Sequence, residues 1–213
     1  MISSTAMVFV IDDDESVRKS LKRLLDAAHY KTGVFKSASE FLSHPVHPGA
    51  SCVIVDVKMP GLNGIEFQKA LIEAGREEQL VFITGHGNIP MCADAMKAGA
   101  VDFLAKPFNR TELLESVEQA LTRSATQRRQ ALEKNYACAL LEKLTPREYE
   151  VMQLVATGLL NKQVGGELGM AEKTVKTHRA HMMQKLNITS VAELMVILQK
   201  AGVTPPVKTG TKV

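Results

Sequence analysis

The residues best equipped for chemistry stand where short apolar runs end. Asp12, Asp13 and Asp14 follow MVFVI, Asp56 follows CVIV, Thr84 closes LVFIT, and Lys106 and Pro107 follow VDFLA. If those runs are strands of one parallel sheet, their carboxyl ends gather several carboxylates, a hydroxyl and an ammonium on one edge, where open α/β sheets bind ligands. Carboxylates held together repel unless a cation joins them. A hard, oxygen-lined site with few protein ligands suits Mg²⁺, which keeps waters and takes phosphate oxygens as further partners. Each residue alone has a plainer reading, since an Asp run ahead of a helix is commonly a partner of the helix dipole. It is the joint placement on successive strand ends that points to a site.

A second constellation lies near the other end of the chain. The segment EKTVKTHRAHMMQKL carries Lys173, Lys176, His178, Arg179, His181 and Lys185 against Glu172 alone. A cationic helix face is often only solvated surface. Here a short helix and a tight turn at Gly169-Met170 precede it, which makes it the second helix of a helix-turn-helix, the element that enters the DNA major groove. The remaining candidates for chemistry read as structural. Cys52, Cys92 and Cys138 have no C-x-x-C spacing and fit a reducing, cytoplasmic setting. The pairs His44/His47 and His178/His181 bring no third ligand for a metal.

The elements that must position these groups follow from periodicity. Met7–Ile11, Lys31–Phe35, Cys52–Val55, Leu80–Thr84 and Val101–Ala105 read as strands, and amphipathic segments such as Ser16–Ala28 alternate with them. Parallel strands need crossover helices, so the alternation predicts a doubly wound five-stranded parallel sheet with helices on both faces. Three of the strands are nearly continuous apolar runs, as doubly buried strands should be. From Thr111 no strand signal returns, and no Gly or Pro interrupts the chain between Arg110 and Leu144. A continuous helical connector is expected, and its broken heptads favour a solvated linker over a coiled coil. Thr145, Pro146 and Glu148 form a capping-box start for a small all-α domain. In it Asn161 is expected to cap the second helix, and the third and fourth helices span Ala171–Leu186 and Ser190 to about Ala201. The boundaries expected are 1–122 for the α/β domain, 123–143 for the linker, 144–204 for the helical domain and 205–213 for a disordered tail. No window reaches the ~20 apolar residues of a membrane span.

The motifs together resemble a known family. The aspartate pair after the first strand, DVKMPGLNG around Asp56, FITGHG around Thr84 and DFLAKPF around Lys106 look like the receiver domain of a two-component response regulator. HGNIPMCADAMKAGAVDFLAKPF resembles its FixJ-like branch, and LTPREYEVMQLVATGLLNKQVGGELGMAEKTVKTHRAHMMQKLNITS resembles the LuxR/NarL-type DNA-binding domain. The resemblance implies that Asp56 takes a phosphoryl group from a histidine kinase. It implies that Asp12, Asp13, Asp56 and the backbone carbonyl of Lys58 hold Mg²⁺, that Thr84 and Lys106 bind the phosphoryl oxygens, and that Thr84 and Phe103 form the switch. Lys58 and His86 fall where relatives tune dephosphorylation. In the helical domain Lys176, Thr177 and Ala180 would face the groove, with His181 sharing base readout. Lys173, Thr174, Arg179, Asn161 and Lys162 would contact phosphates or frame the docking. The implied partners are a cognate kinase, promoter DNA and a second copy of the chain on phosphorylation, with RNA polymerase a further candidate and no membrane. Two departures stand out: Ala180 offers only a methyl group, and Gly165 and Gly166 inside the scaffold helix should each cost up to ~1 kcal/mol relative to alanine.

Two other function classes compete. An aspartyl-phosphate hydrolase would want a carboxylate two residues after its nucleophile, where Lys58 stands, and would leave the basic helix unexplained. An interaction module working unphosphorylated would have no need of the complete set Asp12, Asp13, Asp56, Thr84 and Lys106. The net charge of +3 hides a partition. Residues 1–120 carry 12 basic and 16 acidic side chains, residues 121–143 carry 5 and 2, and residues 144–213 carry 9 and 5. An acidic half and a basic half could attract one another in a salt-sensitive closed form.

Overall fold

A computed structural model describes residues 6–85 and 89–206, apart from the side chain of Ile89. Five strands, β1 (Met7–Ile11), β2 (Lys31–Phe35), β3 (Ser51–Asp56), β4 (Gln79–Thr84) and β5 (Asp102–Ala105), form one parallel sheet in the order β2-β1-β3-β4-β5. The central strands β1, β3 and β4 are buried almost throughout, while the edge strands β2 and β5 are partly open. That is why the first three read as unbroken apolar runs.

Alternation along the strands splits the core into two layers. Val8, Val10, Cys52, Ile54, Val81 and Ile83 pack against α1 (Glu15–Ala27) and the start of α5 (Arg110–Leu141) through Leu21, Leu25, Leu113, Val117 and Leu121. Phe9, Ile11, Val53, Val55, Leu80 and Phe82 face α2 (Ala38–Leu42), α3 (Gly64–Glu73) and α4 (Ile89–Lys97) through Phe41, Phe67, Leu71 and Ala95. The five-residue α2, capped by Ser37, has too few turns to show a helical period in the sequence.

The chain divides into two compact units, residues 1–128 and 129–213. The connector is continuous, for α5 runs 32 residues. It is not solvated throughout, as a free linker would be. Ser124 is buried and its Oγ accepts a hydrogen bond from the Ser51 amide at 3.0 Å, while Arg128 donates to the carbonyls of His47 and Pro48. At the other end Ala137, Leu140 and Leu141 enter the core of the second unit.

That unit contains α6 (Pro146–Ala156), α7 (Asn161–Leu168), α8 (Glu172–Leu186) and α9 (Val191–Ala201). Thr145 and Glu148 form the expected capping box on α6. The cap expected of Asn161 is shifted by one residue. Leu160 occupies the N-cap position without a side-chain acceptor, and Gln163 reaches back to its amide at 2.9 Å. Asn161 is thereby the first helical residue, and its side chain is turned to another use described below. Val151, Met152, Val155, Val164, Val175, Met182, Leu186, Leu194 and Leu198 close the core. Residues 205 and 206 have no regular structure. The rest of the expected tail, like His86, lies outside the described residues.

Candidate functional site

Reversal of strand order about β1, with β2 on one side and β3 on the other, makes the crevice beyond β1 and β3 the switch point of the sheet. Asp12 follows β1 directly, Asp56 ends β3, Thr84 ends β4 and Lys106 follows β5. These four strands are consecutive neighbours, so the residues meet on one edge.

Lys106 joins them. Its Nζ lies 2.7 Å from Asp56 Oδ1 and 3.1 Å from Asp12 Oδ2. The second oxygen of Asp56 accepts the Lys58 amide at 2.7 Å, and the second oxygen of Asp12 accepts the Asp14 amide at 2.9 Å. Asp12, Asp56 and Thr84 are buried at 2%, 6% and 1% exposure. Thr84 also anchors the lysine's backbone, since its carbonyl accepts the Lys106 amide at 2.7 Å just before the cis Lys106–Pro107 peptide. Gly64 is needed behind the site, because a Cβ there would lie 2.7 Å from the Asp56 carbonyl oxygen.

Burial holds the Asp12 carboxyl above the usual carboxylate range, even though the Asp14 amide and Lys106 pull it down. For Lys106 burial pulls its pKa down, but the hydrogen bonds with Asp56 and Asp12 outweigh it and raise the ammonium above its ordinary value. The buried carboxylates of Asp12 and Asp56 thus share the Lys106 ammonium.

The aspartate run resolves into three roles. Asp12 points inward, Asp13 is exposed, and Asp14 is the N-cap of α1, its Oδ1 accepting the Ser16 amide and hydroxyl, both at 2.7 Å. These bonds hold the Asp14 carboxyl below the usual range. The helix-partner reading thus belongs to Asp14 alone. Among the described residues no three His, Cys, Asp or Glu side chains are arranged to hold a metal by themselves. Mg²⁺ does not need such a cage, being bound by one or two carboxylates with waters and phosphate oxygens, and the donor set here fits that pattern. Phe103 is half-buried on β5, its ring centroid 5.9 Å from that of Phe82.

In the second unit, α7, the turn at Gly169–Met170 and α8 form the helix-turn-helix. Val175, Met182 and Leu186 point into the core, leaving Lys173, Thr174, Lys176, Thr177, Ala180 and His181 exposed on α8, with Lys162 exposed on α7. Arg179 differs from them: half-buried, it donates to Asn161 Oδ1 at 3.1 Å and ties the two helices together. Lys185 is also withdrawn from the cationic face, since its Nζ lies 2.7 Å from the buried Glu148. Neither pairing has a local sequence signal, because the partners are 18 and 37 residues apart.

Gly165 corrects the expectation of a merely weakened helix. A Cβ at this residue would stand 2.6 Å from the Met170 carbonyl oxygen, so the glycine is what lets the turn pack on α7. Gly166 is exposed with open space around it, and there the expected cost applies.

Comparison with known proteins agrees with both halves. Residues 8–118 match the response regulator receiver domain family, and residues 142–198 match the bacterial regulatory proteins of the luxR family. The chain is 44% identical over 202 residues to Nodulation protein W of Bradyrhizobium diazoefficiens, covering 95% of this chain and 89% of that one. It is 38% identical over 198 residues to the transcriptional regulatory protein FixJ of Azorhizobium caulinodans, covering 93% and 94%. Among solved structures, the response regulator StyR superposes with a TM-score of 0.84 at 45% identity, covering 92% of this chain and all of that one.

Proposed function

The chain belongs to the response regulators that join a receiver to a LuxR-family DNA-binding domain, and on that premise we propose that phosphorylation of Asp56 switches its binding to promoter DNA. The observation that carries this reading is Lys106 Nζ bridging Asp56 and Asp12 at the switch point of the sheet. In the proposed step an Asp56 carboxylate oxygen attacks the phosphorus of a kinase phosphohistidine. A P–O bond forms as the P–N bond breaks, and the electron pair leaves with the imidazole. Asp12 and Asp13 are assigned to hold Mg²⁺ directly or through water, with Asp56 and the Lys58 carbonyl as further ligands. Bound there, the ion would supply positive charge to offset these carboxylates and the incoming phosphoryl oxygens. Lys106 then exchanges its carboxylate partner for a phosphoryl oxygen, and the Thr84 hydroxyl turns toward another. Phe103 follows into the space Thr84 leaves, which reshapes the face formed by α4 and β5.

The assigned domains are a receiver at 1–122, a helical connector at 123–143 and a DNA-binding domain at 144–204. Lys176, Thr177, Ala180 and His181 are assigned to base edges and Lys162, Lys173 and Thr174 to phosphates, with Arg179 and Asn161 framing α8. Two copies would place their recognition helices on half-sites about one DNA turn apart. The setting is the cytoplasm, in keeping with the absence of any described helix long and apolar enough to cross a membrane.

Gel filtration and DNA binding with and without beryllofluoride test the proposal, with Asp56→Asn as the control. Dimerisation and tighter binding that vanish in Asp56→Asn are expected, and an Asp56-independent response would overturn it. Thr84→Ala should still accept phosphate from acetyl phosphate yet fail to dimerise.

A further inference from the structure

The turn that carries the acidic residues is pinned at every position, but by different means. Asp12 is held through its side chain, by Lys106 and by the Asp14 amide. Asp14 is held through its own carboxylate, by Ser16. At Asp13 the carboxylate is exposed, and what is fixed is the carbonyl: Arg18 Nη1 donates to it at 2.9 Å and to the Asp12 carbonyl at 2.6 Å. Arg18 is half-buried on the first turns of α1, and its own amide bonds the Asp14 carbonyl at 3.1 Å. One guanidinium nitrogen therefore spans two consecutive peptide carbonyls, which fixes the two peptide planes that meet at the Asp13 Cα and so the direction in which the Asp13 side chain leaves the backbone.

We propose that Arg18 is a positioning residue for the cation site, holding the Asp12–Asp13 peptide so that the exposed Asp13 carboxylate is preset toward Mg²⁺; the inference rests on the assignment of Asp13 to that ion. Two physical effects of Arg18 have opposite signs, and this makes the idea decidable. As a nearby positive charge it repels a second cation, so its removal should tighten binding if charge were all that mattered. As a clamp it spares Asp13 the ordering cost of binding, so its removal should weaken binding. Residues that orient metal ligands from behind typically contribute on the order of tenfold or more in affinity, whereas charge repulsion through solvent at a half-exposed site is screened. The clamp should win. Lysine separates the two effects, since it keeps the charge but its ammonium ends one bond short of the arginine Nη1 and lacks the rigid planar group.

The test is isothermal titration of the full-length chain with MgCl₂ alone, comparing the unaltered protein with Arg18→Lys, Arg18→Met and Asp13→Asn, with thermal melts beside each. Both Arg18 variants are expected to weaken Mg²⁺ binding by on the order of tenfold. Unchanged affinity in Arg18→Lys, or tighter binding in Arg18→Met, overturns the proposal and leaves Arg18 a bystander charge. Arg18→Lys keeps the measurement decisive if Arg18→Met does not fold. Asp13→Asn distinguishes the two levels of failure. If it weakens binding while the Arg18 variants do not, only the positioning role falls. If Asp13→Asn changes nothing, or the unaltered chain binds no Mg²⁺, the assignment of Asp13 falls and the role of Arg18 with it.

Discussion

Gly165 and Gly166 are neighbours in one helix, yet they should answer the same substitution with opposite sign. At Gly166 an alanine methyl meets open space and removes the conformational entropy that glycine carries into a helix, so Gly166→Ala should stabilise by up to ~1 kcal/mol. At Gly165 the same methyl meets the Met170 carbonyl oxygen of the turn, a backbone atom that cannot rotate away. Displacing it costs about 1–3 kcal/mol, more than the helix propensity returns. Equilibrium urea unfolding of the full chain, followed by far-UV circular dichroism, should show the two midpoints moving apart. Stabilisation by both substitutions would mean that the turn relaxes freely. Sequence alone prices the two glycines equally, because the contact that separates them comes from a turn packed back onto α7. Asp12, Asp56, Thr84 and Lys106 were legible for the converse reason: each lies at a strand end, and strand ends converge whatever the details of packing. Arg18 was not, since a guanidinium bonded to carbonyls leaves no pattern in side-chain types.

At the scale of elements, the alternation of strand and helix was legible because burial on both faces demands apolar runs of a kind that few other structures need. The course of α5 was only partly so. Its continuity could be read from the lack of Gly and Pro, but its polar surface concealed that Ser124 and Arg128 bond the receiver and that Ala137, Leu140 and Leu141 belong to the other core. The start of α6 shows how a local signal acquires tertiary weight. Glu148 Oε2 accepts the Thr145 amide at 2.8 Å, as a capping box requires, and also faces Lys185 Nζ at 2.7 Å from α8. Burial works to raise the pKa of Glu148, but Lys185 and the Thr145 groups outweigh it and hold the carboxyl below its ordinary value. A depressed folded-state value means that the unfolded chain binds the proton more readily. The stabilisation is therefore complete above the ordinary glutamate range and is lost as pH falls through the lower folded value. Urea midpoints of the second unit, measured between about pH 6 and pH 3, should fall more steeply for the unaltered chain than for Glu148→Gln. Parallel slopes would show that the pair with Lys185 adds nothing to the cap.

For the molecule as a whole, the partition of charge bears on how it holds DNA. Residues 144–213 have four more basic than acidic side chains, but that surplus is not spread evenly. Arg147, Lys185 and Lys200 are engaged with Glu150, Glu148 and Glu133. Lys162, Lys173 and Lys176, by contrast, are exposed on the helix-turn-helix and make no ion pair among the described residues. The residues of 1–120 have the opposite balance, which disfavours phosphate contacts by that half. Each lysine that neutralises a phosphate releases condensed counterions, so the slope of log K against log salt should change by about one for each contact removed per bound copy. Lys162→Ala should therefore flatten the slope by about that amount on promoter and random DNA alike, leaving the ratio between them unchanged. Lys176→Ala should instead lower that ratio, because a lost base contact costs about 1–3 kcal/mol on the cognate sequence and little elsewhere. Fluorescence anisotropy across a salt series reads both quantities at once. Equal losses on both DNAs for Lys176→Ala would move that residue to the phosphates, and sequence reading would then fall to Thr177, Ala180 and His181.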